Sequence, residues 1–156
     1  MSLTTDITVV LSTLLTKSSA KSPNDFAAVV KLADDEADQV YVAEDIVLGA
    51  LADDTYDVAG GLTDAFGDGI FLTSIKALAI LSSVANTDAL SVGGINSPID
   101  LGATGDVVFV QPGGALVLLA PSVGYLVVPS TADIITITNT GAVNDATYSI
   151  CIIGKS

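Results

Sequence analysis

Short apolar runs separated by turn residues dominate the second half of the chain. Pro112 and Gly113 stand in one gap between runs, and Asn139 and Gly141 stand in another. The runs cover residues 107–110, 115–119, 125–128, 134–138 and 147–153. Strands that recur every 8 to 12 residues or so, with turn chemistry in each gap, are typical of a β-sandwich or barrel, including the jelly roll. This pattern predicts an antiparallel, all-β domain.

Alternation inside one of these runs indicates which side of the sheet is buried. Ile135 and Ile137 alternate with Ile134, Thr136 and Thr138. Successive side chains of a strand point to opposite faces, so one face of this strand is more polar than the other. That is the pattern of an antiparallel sheet with one side on a core.

The first 25 residues are less regular. Residues 5–15 fit one face of a helix, but Ile7, Val9 and Leu11 also alternate as in a strand, and the β-branched content favours the strand. Residues 16–25 are polar and contain Pro23, which predicts a loop or linker. We therefore expect an N-terminal arm with a linker over residues 1–25 and a β-sandwich or jelly-roll-like domain over residues 26–156.

Several further elements are expected between the arm and residue 106. Apolar patterns predict strands at 26–32, 39–48 and 70–81, and the spacing of the last is also compatible with a helix. Turns are expected at Asp53 and Asp54 and at the pair Gly60 and Gly61, since glycine tolerates positive φ. Residues 82–106 predict a short strand around 90–92 and an exposed loop.

The charge balance narrows the list of partners. Eighteen acidic residues stand against five lysines, there is no arginine, and the formal net charge is −13. Nucleic-acid binding depends on basic side chains that neutralise phosphates, so neither DNA nor an anionic lipid surface is expected as a partner. Half of the residues are hydrophobic, and the mean hydropathy is +0.66. A chain this apolar is expected to cover part of its surface with neighbouring subunits.

The sequence predicts no membrane span. The apolar run at residues 115–120 is closed by Pro121, and no stretch approaches the ~18 apolar residues that a spanning helix needs. Residues 1–5 lack the basic region and cleavage site of a secretory signal, so we expect synthesis in a cytoplasm.

The residue inventory argues against an enzyme. Histidine and arginine are both absent, which removes the usual general base and the usual phosphate or oxyanion clamp. A pair of carboxylates of the glycosidase type stays open by residue type, although the acids lie mainly in turns. Cys151 lies between Ile150 and Ile152, and we expect a buried small hydrophobe rather than a nucleophile. No catalytic, cofactor-binding or metal-binding residue is predicted.

Two kinds of segment were weighed as binding sites. The glycine pairs at 93–94 and 113–114 lack the pattern of a phosphate-binding loop and are interpreted as turns. Calcium is the one metal worth testing, because it prefers carboxylate and carbonyl oxygens. The oxygen-rich candidates are Asp34, Asp35, Glu36 and Asp38, and separately Asp64 and Asp68. Neither set has the ligand order of an EF-hand, so a solvated acidic loop is the competing interpretation.

Several short segments together carry a resemblance. They are residues 37–40, 58–67, 75–78, 93–94, 110–114, 120–121, 124–125 and 148–154. In this order they resemble a family of small proteins encoded by tailed phages and prophages, often among head genes. The resemblance spans 37–78 and 107–154, and it departs from the family at Tyr41, where relatives commonly carry tryptophan.

The resemblance implies a structural protein of the virion. The expected role is a capsid decoration or cement protein, a β-sandwich that binds the major capsid protein on the outer capsid surface as a homotrimer. Two other classes stay open. One is a tail- or fibre-associated module that contacts a host receptor or glycan, although the absence of tryptophan disfavours sugar stacking. The other is a small hydrolase.

Overall fold

The computed structural model describes residues 6–17, 20–31, 36–99 and 105–156. Within these ranges the regular structure is entirely β, as the sequence predicts, and none of it forms a helix that is long and apolar enough to cross a bilayer. The strands are β1 (Asp6–Lys17), β2 (Ala20–Lys31), β3 (Gln39–Leu48), β4 (Asp53–Asp57), β5 (Leu62–Thr63), β6 (Gly69–Ile70), β7 (Ser74–Ser82), β8 (Leu90–Gly93), β9 (Val107–Val110), β10 (Ala115–Leu119), β11 (Tyr125–Leu126), β12 (Ile134–Asn139) and β13 (Ala146–Lys155).

Two antiparallel sheets form the body of the molecule. The first sheet has the strand order β10-β7-β13-β3, and β11 also pairs with β7. The second sheet has the order β4-β12-β8-β9. The chain passes repeatedly from one sheet to the other, because β3, β7, β10 and β13 belong to the first and β4, β8, β9 and β12 to the second. This arrangement confirms an all-β fold of the sandwich type, and jelly-roll connectivity stays a prediction.

The core lies between the two sheets. Alternate residues of the central strands fill it, and the alternation predicted for β12 is confirmed, because Ile135 and Ile137 are both fully buried. Other large buried side chains of this cluster are Leu78, Ile80, Leu90, Val92, Ile150 and Ile152. Removing one such side chain from water contributes about 1.5–3 kcal/mol, so the facing rows of aliphatic residues account for the pairing of the sheets.

A long hairpin precedes the body. Strands β1 and β2 pair with one another in a sheet of their own, in register from Asp6 opposite Lys31 to Lys17 opposite Ala20. The strand preferred for residues 5–15 is confirmed. The linker predicted for residues 16–25 is wrong over the described residues, because β2 begins at Ala20 and passes through Pro23. The division between residues 25 and 26 therefore falls inside a strand.

Most of the other predicted strands are confirmed, and one predicted turn is wrong. The strands expected at 39–48, 90–92 and in the five later runs are all present, and 70–81 contains the central strand β7 and no helix. The turn expected at Asp53 and Asp54 is wrong, because both residues begin β4 and pair with β12. The small hairpin of β5 and β6 was not predicted, since two-residue strands carry no periodic signal.

Candidate docking surface

The outer face of the first sheet is apolar across all four strands. Register places Cys151 beside Val42 on one side and Ala79 on the other, and it places Ala79 beside Val117. A second row runs parallel to the first. We call the following eight residues the apolar face: Val42, Cys151, Ala79 and Val117 in one row, and Val40, Ile153, Ala77 and Leu119 in the other. None of them carries a charge.

Much of this face is open to solvent. Val42 is 57% exposed and Val117 is 40% exposed, whereas Ala77 and Ile153 are buried against Ala37, which leads into β3. A depression of about 80 Å³ lies between the strands, lined by residues of the face together with Leu78. The atoms that line this depression and touch solvent are all apolar. Such a surface favours contact with another apolar surface over contact with water.

The second sheet presents a different outer face. Thr138 lies between Asp53 and Ser91 in one row, and Thr136 lies beside Thr55 in the next. Large apolar side chains are fewer there: the edge strand β9 adds Val107 and Phe109, and β12 adds the half-buried Ile134. The polar side of β12 predicted from the sequence therefore faces outward on this sheet. The outer face of the first sheet is therefore the more apolar of the two.

The signal for the apolar face was present in the sequence but was not used. Residues 75–81 and 150–153 are apolar at both odd and even positions, apart from Lys76. A strand with one face in water alternates, whereas a strand covered on both faces is continuously apolar. Continuous runs in β7 and β13 therefore indicate a sheet that is apolar on both faces.

Cys151 belongs to this outer face and not to the core. Ile150 and Ile152 are buried between the sheets, so strand alternation turns Cys151 to the opposite side, where it is half-buried. The expectation of a buried small hydrophobe thus holds only in part. Burial raises the pKa of the Cys151 thiol, which keeps it protonated and poorly nucleophilic at neutral pH.

The loop between β5 and β6 carries the most exposed aromatic residue in the part of the chain whose side chains are described. Phe66 is 78% exposed at its tip. The carboxylate Oδ1 of Asp64 accepts the backbone N–H groups of Phe66 (2.8 Å) and Asp68 (2.9 Å), which fixes the loop. Asp64 therefore has a structural role in the loop, and it makes no ligand cluster with Asp68. The loop presents Phe66 in a defined position.

The other proposed calcium ligands are only partly described. Asp34 and Asp35 lie outside the described residues. Asp38 accepts hydrogen bonds from the backbone N–H and the hydroxyl of Ser156, both at 2.8 Å, and its Oδ2 lies 3.1 Å from Lys155 Nζ. Partial burial raises the pKa of Asp38, but the bonds from Ser156 and Lys155 outweigh it, and the net pKa is lowered. Among described residues no three acidic or cysteine side chains are placed to hold a metal ion.

A chain of hydroxyl groups connects the two sheets. Tyr56 of β4 and Tyr148 of β13 share a hydrogen bond of 2.5 Å between their Oη atoms, and Tyr148 Oη donates to Asp54 Oδ2 at 2.6 Å. Burial raises the pKa of Tyr56 to about 12, and burial together with the bonds to Asp54 and Tyr56 raises the pKa of Tyr148. Both phenols stay neutral at physiological pH, so the chain is suited to joining the sheets.

The glycine pairs have conformational roles. Gly113 has a φ of +70° in the turn between β9 and β10, as predicted. Gly93, in contrast, ends strand β8 with a φ of +137°, and a Cβ atom there would collide with the carbonyl oxygen of Asp106. The turn interpretation is therefore correct for residues 113–114. For residues 93–94 it is incomplete, because Gly93 is part of strand β8.

Comparison with known proteins identifies no relative, because no family model, curated protein or solved structure matches this chain.

Proposed function

We propose that this chain is a non-enzymatic structural protein of a tailed-phage virion, which decorates the outer surface of the capsid and stabilises the major capsid protein shell. The observation that carries the proposal is the apolar face, two uninterrupted apolar rows on the outside of an otherwise acidic body. A surface of this kind is suited to burial against protein. The homotrimer and the location on the capsid surface are parts of the same proposal.

The mechanism is differential binding to the assembled shell. A protein that binds the shell but not its separated subunits stabilises the shell by mass action. Specific interfaces bury about 1,200–2,000 Å² in total, and apolar area removed from water contributes about 25 cal/mol per Å² before the costs of association. A trimer that touches the shell at three equivalent places gains further strength, because all contacts must be lost before it leaves.

Electrostatics favours the outside of the head. The chain has a net charge of −13, and packaged DNA is a dense polyanion. Like charges repel, so a position facing the DNA would be unfavourable, whereas a position on the outer surface keeps the acidic groups in solvent. The exposed Phe66 offers the shell a contact that does not depend on charge.

Phe66 is the residue that we propose as an anchor on the shell. It lies in one of the segments that carry the phage resemblance, residues 58–67, and its loop is fixed by Asp64 before any partner binds. Aromatic side chains that enter a pocket of the partner commonly dominate the binding energy of an interface. A fixed loop also lowers the entropy cost of binding.

The test uses heads that lack this protein. Phage particles are produced from a genome in which the gene is deleted, purified protein is added back, and binding and heat-induced DNA release are measured. We expect saturable binding to the heads and DNA release at a higher temperature. Phe66→Ala is expected to weaken binding by about 30-fold, the effect of a hot-spot residue, whereas Phe109→Ala, at a 58% exposed position on β9, leaves it within about twofold.

Other outcomes contradict the proposal. Binding to isolated tails but not to heads would favour the receptor-binding or glycan-binding module, and no effect on DNA release would exclude a stabilising role. Incubation of the purified protein with glycans and esters, followed by product analysis, tests the hydrolase alternative, and turnover would overturn a purely structural role.

A further inference from the structure

Among the described residues, Ala37 packs against one end of the apolar face, while Val42 and Val117 stay open to solvent. The distribution of charge indicates what could cover the open part. The hairpin of β1 and β2 contains Lys17, Lys21 and Lys31 against Asp6 and Asp25, a net charge of +1. Residues 36–156 contain two lysines and fourteen acidic residues, a net charge of −12. The hairpin is therefore electrostatically attracted to an acidic body, whereas two bodies repel each other.

The register of the hairpin adds an apolar contribution. In the half of the hairpin nearer Asp6, alternate pairs are apolar on both strands, namely Ile7 with Val30, Val9 with Ala28 and Leu11 with Phe26. Alternate positions of a two-stranded sheet share one face, so these six residues belong to the same face of the hairpin. A two-stranded sheet on its own is marginally stable in water, and packing on another surface stabilises it.

The length and attachment of the hairpin favour a neighbouring molecule. Twelve residues per strand extend about 40 Å at 3.3 Å per residue, about the diameter of a body of this size. Only residues 32–35 separate β2 from Glu36, and Ala37 already occupies the end of the apolar face against Ala77 and Ile153. A hairpin that leaves the body at this point reaches the face of a second copy more readily than it reverses onto its own.

We propose that the apolar face binds the β1–β2 hairpin of a second copy of this chain, so that copies assemble by exchanging hairpins. Each chain then donates a hairpin to one neighbour and receives one from another. Head-to-tail contacts of this kind close into a ring when the rotation between copies permits, and a ring of three is the assembly that we expect. The inference concerns the free protein and does not require binding to a capsid.

The test combines light scattering after size-exclusion chromatography with thiol reactivity, on the full chain. We expect the wild-type protein to be oligomeric at micromolar concentration, with Cys151 reacting more slowly with a thiol reagent than it does in a dissociated variant. Val117→Asp places a charge on the apolar face and is expected to raise the dissociation constant at least about tenfold. Val143→Asp makes the same change at an 83% exposed loop position and is expected to leave it unchanged.

A second variant distinguishes the hairpin from other occupants. The double substitution Lys17→Glu and Lys21→Glu changes the hairpin charge from +1 to −3 and leaves the body untouched. We expect it to weaken association at least about tenfold at low salt and to increase the reactivity of Cys151, and we expect salt to reduce the difference from wild type. Circular dichroism melting verifies that each variant is folded.

Three results would overturn the inference. A monomer with reactive Cys151 would mean that nothing covers the face, and a monomer with protected Cys151 would mean that the chain's own hairpin covers it. Association that survives the double lysine substitution but is lost in Val117→Asp would indicate contact between two bodies. A hairpin-exchanged oligomer that fails to bind phage heads would support this inference while contradicting the proposed function.

Discussion

At the scale of single residues, buried polar groups explain how the sandwich keeps its two sheets in one alignment. Aliphatic contacts alone tolerate sliding, whereas a hydrogen bond requires a particular geometry. The chain from Tyr56 through Tyr148 to Asp54 supplies that geometry between β4 and β13. Every buried side-chain nitrogen or oxygen in the described part of the chain has a partner, so no polar atom there carries an uncompensated cost.

Removal of one hydroxyl tests this function of the tyrosines. Tyr148→Phe leaves the Tyr56 hydroxyl and the Asp54 carboxylate without their common partner, and we expect the free energy of unfolding to fall by about 1–3 kcal/mol. Chemical denaturation monitored by circular dichroism measures the change. Tyr125→Phe removes the hydroxyl of a partly exposed tyrosine of β11 and is expected to change stability by less than about 0.5 kcal/mol. Equal effects of the two substitutions would contradict the account.

The same pair predicts a loss of stability at alkaline pH. The folded-state pKa values of Tyr56 and Tyr148 are raised above the usual 10.0, so the neutral phenol is favoured in the fold. Their contribution to stability is complete below pH 10 and is lost as the pH rises through the folded pKa, about 12 for Tyr56. In an alkaline titration, phenolate absorbance reports tyrosine ionisation and circular dichroism reports unfolding. We expect Tyr56 and Tyr148 to ionise only as the protein unfolds. Ionisation of both in a folded protein would contradict this expectation.

Asp38 gives the opposite dependence at acidic pH. Its folded-state pKa is lowered, so the stability that it contributes is present above its usual pKa of 3.8 and is lost as the pH falls through the lower folded value. Asp38→Asn is expected to destabilise the protein at pH 7 by about 1 kcal/mol, a modest value because the ion pair with Lys155 is partly exposed. The difference from wild type should be smaller at pH 3 than at pH 7, because protonation of the Asp38 carboxylate removes the interaction. Thermal melting at pH 7 and pH 3 tests this, and an equal difference at both would contradict it.

At the scale of elements, Gly93 shows how close the strands β8 and β9 approach. Gly93→Ala would force a Cβ atom against the Asp106 carbonyl oxygen and would also strain the backbone, so we expect a loss of about 3 kcal/mol or more. Gly67→Ala is the matched control. Gly67 has a φ of +88° but no atom within 4 Å of the added carbon, so only the backbone cost of about 1 kcal/mol is expected. Denaturation midpoints compare the two, and similar losses would contradict the close approach.

The elements also show what local sequence can and cannot predict. Strands β9, β10, β12 and β13 were predicted because turn residues separate them and β-branched residues fill them. The first half of β2 was missed because Pro23 and its polar neighbours resemble a loop, whereas pairing with β1, a tertiary interaction, keeps them extended. The β4 error at Asp53 has the same origin, since pairing with β12 overrides the preference of aspartate for turns.

At the scale of the whole molecule, the net charge of −13 and the apolar face are complementary features of the surface. The acidic groups favour water, whereas the apolar face favours contact with protein. Composition indicated that part of the surface needs a protein partner, but it could not locate that part. Location depends on strand order and register, which bring Val42, Cys151, Ala79 and Val117 into one row from four distant segments. No local pattern contains this information.

The most direct measurement of the central proposal is an electron cryo-microscopy map of the virions whose genome encodes this chain. The account predicts density for hundreds of copies on the outside of the head, each fitting the two-sheet body, with the loop of Phe66 directed at the shell. Density confined to the tail, or virions that lack the protein altogether, would contradict it.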